Sequence, residues 1–294
     1  KVIKTCEFIW ETLLSQQANR SSIWLNLGGG VLTDIGGFVA ATFKRGIKFV
    51  NIPTTVLGAS DAAIGGKTGV DLKMLKNQIG VFAKSEAVFI NPVFFKTLPI
   101  RQVNSGLAEI IKSALIANKK LWQVLIDSHV LQILDWEKIV NESVLVKTEI
   151  VERDPLENGD RKLLNFGHTI GHAIETYSLQ NDNDPLFHGE AIAIGMICES
   201  YISMKKLALS KAEFGQIVKY LINQYHAYVI LPESIDGLIE LMLQDKKNTS
   251  EQINFTLINK IRKGKIDKYI DEELIRESLS FYSAYVNTIE KWIK

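Results

Sequence analysis

Cysteine is nearly absent. The 294 residues hold only Cys6 and Cys198, far apart and in no Cys-x-x-Cys pair. That argues against a disulfide framework and against a thiolate zinc site, and makes a reducing, cytoplasmic setting the expectation. An excess of one charge is lacking too: 34 basic residues against 33 acidic leave a net charge of +1. Such a balance raises no field able to gather a polyanion, so nucleic acid is not an expected partner. The apolar runs fall short of the roughly 20 residues a membrane helix needs, so no membrane is expected either. No signal-peptide pattern opens the chain. Lys1 is not a methionine, and KVIKTCEFIWETLL reads as a helix already under way, so an N-terminal piece is expected to be missing.

What is present reads as a soluble chain of one large or two smaller domains. Residues 1–96 have α/β texture. SIWLNL is an apolar run that ends in Gly28-Gly29-Gly30 and reads as a buried strand entering a tight turn. TDIGGFVAATF then has helical spacing, and KFVNIP and AVFINP are further strand candidates. Strands alternating with helices imply a parallel sheet. From residue 97 onward the texture is helical. No proline lies between Pro99 and Pro155, and long 3.6-period segments follow one another. INFTLI is the one later strand candidate.

LGGGVLTDIGGF sets glycines between a strand and a helix, where free N–H groups suit phosphate. The spacing is not G-x-G-x-x-G, so the turn alone does not separate phosphate binding from a tight turn needing positive φ. NIPTTVLGASDAAIGGKTGVDLKMLKNQIG adds weight. It follows a strand, at the carboxyl edge where α/β ligands bind, and it reads as a loop with hydroxyls, a carboxylate and lysines.

LLNFGHTIGHAIE places His168 and His172 four apart, hence on one helix face, and His188 follows in FHGEAIAIG. A single histidine on an apolar helix is more often a satisfied core residue. Three within 21 residues, beside Arg161 and Asn165, favour a site. HTIGH lacks the glutamate of H-E-x-x-H, which argues against a metalloprotease. A third metal ligand would be His188 or an acidic residue such as Glu109, whose carboxylate lies on an apolar helix face with Lys112 three residues on. Arg161, Asn165, His168 and His172 fall on one stripe if the helix extends that far back, a wall suited to an anionic, hydroxylated substrate.

LGGGVLTDIGGFVAATFKRG, IPTTVLGASDAAIGGKTGVD, LKNQIG, FFKTLP, GLAEIIK, LLNFGHTIGHAIE, HGEAIAIGM and DKKN, taken in order, resemble the 3-dehydroquinate synthase family of sugar phosphate cyclases. The resemblance implies an N-terminal Rossmann-like α/β domain, here 1–96 with its first strands expected to be missing, and a mostly α-helical C-terminal domain, here 97–294, with the site in the cleft between them. It implies a carbon–oxygen lyase of the shikimate pathway that uses NAD and one divalent metal, zinc or cobalt. Glu109, His168 and His188 then match the metal ligands, which splits the His168–His172 pair. Gly30, Val31, Leu32, Thr33, Asp34, Thr54, Thr55, Lys67, Lys76, Phe94, Phe95, Lys96 and Thr97 match positions that contact NAD. Asp61, Lys67, Lys112, Lys147, Arg161, Asn165, His172 and a lysine of DKKN, taken as Lys246 over Lys247, match substrate-facing positions. Arg45 matches an arginine lent to the neighbouring subunit, which implies a homodimer.

Three departures stand out. Thr33 replaces a common glycine, Ala62 and Ala63 replace a common serine pair, and the stretch before Lys1 is absent. Other readings are a sister cyclase, a metal-dependent alcohol dehydrogenase of related architecture, or a binding protein that keeps metal without NAD. Arg161 favours a substrate with a carboxylate. The set Glu109, His168, His188 argues against an idle site, since buried charge is costly to keep.

Overall fold

In the computed structural model, residues 1–72, 75–127, 135–244 and 253–293 are described. The chain divides into two compact units, Lys1–Gly106 with Asp135–Leu156, and Leu107–Leu134 with Glu157–Lys294.

The first unit is α/β. Helix α1 (Ile3–Ser15) precedes strand β1 (Ile23–Gly28), helix α2 (Gly30–Thr42) and strand β2 (Lys48–Pro53). A hairpin of β3 (Lys67–Leu72) and β4 (Leu75–Phe82) and the short β5 (Ala87–Val88) follow. The sheet order is β1-β2-β5, all parallel, with Ile23 opposite Lys48 and Gly28 opposite Pro53. Parallel pairing brings the turn after β1, the threonine loop after β2 and the Asn91–Pro92 turn after β5 to one carboxyl end, the ligand end of such sheets.

Helix α2 packs on one face of this sheet through Ala40, which clusters with Phe43, Ile47, Phe49 and Trp24, while its Ile35, Phe38 and Val39 cluster with Cys6 of α1 and Val70 of β3. It comes close because Gly36 and Gly37 have no side chains: a Cβ at Gly36 would overlap the Asn26 amide, and one at Gly37 the Thr68 methyl. Buried amides tie the layers together. Asn26 Nδ2 donates to Asn51 Oδ1 at 2.8 Å, and Asn51 Nδ2 to the Ala63 carbonyl at 3.0 Å. Strand β1 is not buried on both faces as its apolar run implied. Ile23, Leu25 and Leu27 are 60%, 59% and 56% exposed, because among the described residues only one face is covered and only β2 pairs with β1.

The described residues of GGKTGVDLKMLKNQIG are mostly strand, not the loop expected. Lys67 pairs with Phe82 and Leu72 with Leu75 in an antiparallel hairpin. Gly69 and Gly80 face each other there, and a Cβ on either would strike the opposite backbone. These glycines serve strand approach, a use that composition alone does not separate from phosphate binding. Helix α3 (Ile100–Ala117) contains the division between the units, and α5 (Trp136–Arg153) belongs to the first.

The second unit is mostly helical: α4 (Lys119–Asp127), α6 (His168–Asn181), α7 (His188–Lys206), α8 (Lys211–Gln224), α9 (Ile235–Leu243) and α10 (Glu272–Ile293). One hairpin joins them, β6 (Ile253–Lys260) with β7 (Lys263–Ile270). AIAIGMICESYIS is buried without a break, so α7 is the central helix, as its all-round apolar sequence requires. Helices α6 and α7 meet backbone to backbone: a Cβ on Gly195 would overlap the Gly167 carbonyl, and one on Gly171 would lie 2.8 Å from the Ile192 side chain. No helix among the described residues is long and apolar enough to cross a membrane.

Candidate active site

In α3, the apolar segment LAEIIKSALI carries Glu109 and Lys112, 1% and 2% exposed. Their i, i+3 spacing stacks them, and Lys112 Nζ pairs with Glu109 Oε2. Oε1 of Glu109 accepts no hydrogen bond among the described residues. It lies 3.4 Å from His168 Nε2 and 3.4 Å from His188 Nε2. The remaining ring nitrogen of each histidine has its own neighbour. His168 Nδ1 is 3.1 Å from the Phe166 carbonyl, which can only accept, so Nδ1 carries the proton. His188 Nδ1 lies 3.3 Å from Glu175 Oε2.

Both histidines are the first residues of their helices, and local chemistry sets those starts. Gly167, at φ 81°, is a left-handed break that lets α6 begin at His168. Glu199, buried inside α7, then accepts the amides of Gly167 at 2.6 Å and Ile170 at 3.2 Å, capping α6 from outside. At the start of α7, Glu190 accepts the Phe187 amide at 2.7 Å. The connection between the helices is pinned by Ser178, which accepts the Leu186 amide at 2.9 Å, and by Asp182, which accepts from Tyr228 at 2.9 Å.

This set fits a divalent metal. Two atoms that share a tetrahedral zinc at 2.0–2.1 Å lie about 3.3 Å apart, and the two Glu109–histidine separations are 3.4 Å. A buried carboxylate oxygen that accepts no hydrogen bond among the described residues and faces two imidazole nitrogens is what a cation would satisfy. Glu109, His168 and His188 form one group of potential ligands, all within 4.8 Å of one another; His172, Glu175 and His188 form another. Protonation states agree for two of the three. Burial alone would raise the Glu109 carboxyl, but Lys112 and the histidines hold it well below the usual range. Burial and Lys112 lower His168, keeping it neutral. His188 goes the other way: burial lowers it, yet the Glu109 and Glu175 carboxylates push it up to about 9.

Arg161 and Asn165 do not continue the α6 stripe. They lie in a 3-10 helix, Asp160–Asn165, cut off from α6 by the turn at Phe166–Gly167. The left-handed Gly167 is the reason, and it was hidden in a segment with helical spacing. Arg161 is buried, and Asn165 Nδ2 donates to Glu157 at 3.0 Å. His168 and His172 do share a face, their ring centroids 5.0 Å apart, with His172 exposed.

In the first unit, Lys147 Nζ donates to the Asp61 carboxylate at 2.5 Å and its carbonyl at 2.7 Å. Gly30, Val31, Leu32 and Thr33 form the first turn of α2, and Asp34 follows directly. The Thr33 hydroxyl donates to the Gly30 carbonyl at 2.9 Å, so this departure is absorbed within its own turn. Ala62 packs its methyl where a Cβ on Gly30 would come within 2.9 Å. Asp34 pairs with Lys1; burial raises its carboxyl and Lys1 opposes the rise. Thr55 Oγ1 accepts the Gly58 amide at 3.0 Å, and the Thr54 amide donates to the Gly28 carbonyl at 3.0 Å. Phe94, Phe95, Lys96 and Thr97 lie in a 3-10 helix capped by Asn91, with Phe95 turned inward against Trp136. The hairpin separates Lys67, at its base, from Lys76, beside its tip. Arg45 is exposed in left-handed backbone at φ 70°. Lys246 and Lys247 lie outside the described residues.

Glu175 and Glu199 escaped the sequence reading. Each is an acid inside an apolar helical run, the signal that marked Glu109.

Residues 1–105 match the model of the 3-dehydroquinate synthase N-terminal domain, and residues 106–248 that of its C-terminal domain. A 3-dehydroquinate synthase of Parabacteroides distasonis is 44% identical over 276 residues, covering 93% of this chain and 78% of the relative. Among solved structures, 2-epi-5-epi-valiolone synthase from Streptomyces hygroscopicus subsp. jinggangensis, with NAD+ and Zn2+ bound, superposes with a TM-score of 0.86. It is 27% identical, over 97% of this chain and 80% of that one. A 2-deoxy-scyllo-inosose synthase complexed with carbaglucose-6-phosphate, NAD+ and Co2+ gives a TM-score of 0.84 at 26% identity, over 95% and 79% of the two chains. In domain content, in sequence and in fold, this chain belongs to the 3-dehydroquinate synthase family of sugar phosphate cyclases.

Proposed function

We propose that the chain is a 3-dehydroquinate synthase, a carbon–oxygen lyase that converts 3-deoxy-D-arabino-heptulosonate 7-phosphate to 3-dehydroquinate and phosphate. The observation that carries the reading is the buried Glu109, its Oε1 without a hydrogen bond among the described residues and facing both His168 and His188. When bound, a zinc or cobalt ion supplies a Lewis acid for vicinal hydroxyls, and NAD a hydride acceptor that is regenerated within the cycle.

In this reading residues 1–96 bind NAD and residues 97–294 hold metal and substrate. Glu109, His168 and His188 hold the metal. Lys112 keeps Glu109 ionised for that role. Gly30, Val31, Leu32, Thr33 and Asp34, with Thr54, Thr55, Lys67, Lys76 and the turn Phe94 to Thr97, receive NAD. The strand ends support this, because the α2 start, the Thr54 loop and the turn after β5 leave the sheet at its carboxyl end. Arg161 grips the substrate carboxylate with Lys246, since a planar guanidinium pairs with a carboxylate through two parallel bonds. Lys67, Asn165, His172 and Arg45 of the partner subunit hold the phosphate. Lys147 and Asp61 complete the wall as a preformed ion pair. The enzyme acts as a cytoplasmic homodimer.

The test is phosphate release from the heptulosonate 7-phosphate with NAD and zinc. Release should stop without NAD or with a chelator, and no net NADH should build up. Glucose 6-phosphate, which has no carboxylate, should release none. Net NADH accumulation would point to a dehydrogenase, and release from glucose 6-phosphate alone to a sister cyclase.

A further inference from the structure

Glu175 lies on α6 seven residues after His168 and three after His172, along one face of the helix. It is buried, at 7% exposure, and its Oε2 is 3.3 Å from His188 Nδ1. An imidazole that offers Nε2 to a metal keeps its proton on Nδ1, and that proton needs an acceptor: a carbonyl, a carboxylate or water. His168 has the neutral Phe166 carbonyl at 3.1 Å. His188 has a carboxylate, which fixes the ring and also makes it a stronger electron donor.

We propose that Glu175 is the positioning residue of the metal site, holding His188 with Nε2 toward Glu109 and His168 and strengthening it as a ligand. The inference rests on Glu109, His168 and His188 being the ligands. It gives α6 two tasks, since that helix carries one ligand, His168, and the residue that aims another. The same atoms admit a different use. Glu175, His172 and His188 also lie within 4.8 Å of one another, and as a second cation site they would take His188 through Nδ1. The two uses differ in stoichiometry.

The experiment titrates the metal-free chain with cobalt, reading d–d absorption for stoichiometry and chelator competition for affinity, in the wild type, E175Q, E175A and E109Q. One equivalent should bind the wild type. E175A should weaken it by about 10–100-fold, and E175Q by about tenfold, because the amide oxygen still accepts from Nδ1–H but brings no charge. The E175Q spectrum should stay close to wild type and that of E175A should shift, which a merely structural role would not produce. E175Q preserves shape and carries the test if E175A fails to fold. Affinities within twofold of wild type in a folded Glu175 variant, with E109Q impaired, would leave the metal site standing and remove Glu175 from it. A second equivalent lost only in the Glu175 variants would make Glu175 a ligand and overturn the positioning role. No saturable cobalt binding by the wild type would overturn both this role and the metal site it serves.

Discussion

A proton and a metal ion compete for Nε2 of His188. Burial lowers the affinity of the ring for the proton, but the carboxylates of Glu109 and Glu175 raise it further, to about 9, from an ordinary 6.5. The folded value is above the unfolded one. The stabilisation this proton gives the metal-free chain is therefore full below about pH 6.5 and lost as pH rises through about 9. Metal must displace it, so apparent cobalt affinity should rise about tenfold per pH unit up to about 9 and then flatten. Chelator-competition titrations from pH 7 to about pH 9.5 read this slope directly; a flat profile would mean that His188 is already neutral. Lys112 makes a second case. Lys112→Met removes the cation that offsets the cost of burying Glu109, and breaking such a buried pair costs on the order of 3–5 kcal/mol. The loss should be largest in the metal-free chain and partly restored by zinc in thermal melts; equal losses with and without zinc would contradict this. Glu109 and the histidines stood out in the sequence as polar residues in or beside apolar helical segments, but spacing alone paired His168 with His172, and it was the family resemblance that gave the proposed set Glu109, His168 and His188. Arg161 and Asn165 were legible as residue types but not in place, because nothing in LLNFGH announces the left-handed Gly167.

Helices α6 and α7 deliver His168 and His188 from their first positions, so the distance between the rings follows from how closely the helices pack. Gly195 against the Gly167 carbonyl sets that closeness. Gly195→Ala should cost about 1–3 kcal/mol, as overpacking does, and should also weaken cobalt binding by parting the two helix starts. Denaturant melts and the cobalt titration together check it; lost stability with unchanged affinity would show that the ligand ends move independently of this contact. Elements with a strong period were readable from sequence: α3, α5, α6 and α7 by their 3.6-residue spacing, β1 and β2 by short apolar runs. The β3–β4 hairpin was not, because Gly69 and Gly80 serve strand approach in a stretch whose glycines and lysines look like a phosphate loop. Strand β7, KGKIDKYI, was missed because most of its residues are charged or only partly buried.

At the scale of the whole molecule, the proposed loan of Arg45 to a partner's site can be separated from an internal role by complementation. R45A and H168A chains should each be nearly inactive. Mixed, reversibly dissociated chains should recover about a quarter of wild-type activity, since half the dimers are mixed and each has one complete site. No recovery from chains shown by gel filtration to exchange would place Arg45 outside a shared site. The charge balance and the open face of β1 bear on handling. With an isoelectric point near 7.9, the chain has almost no net charge at mildly alkaline pH, so colloidal repulsion is weakest there. Ile23, Leu25 and Leu27 then offer neighbouring molecules an apolar strand that, among the described residues, pairs only with β2. Light scattering against pH should show aggregation peaking near pH 8, and Leu25→Lys should suppress it, so purification well away from that pH should keep the chain dispersed.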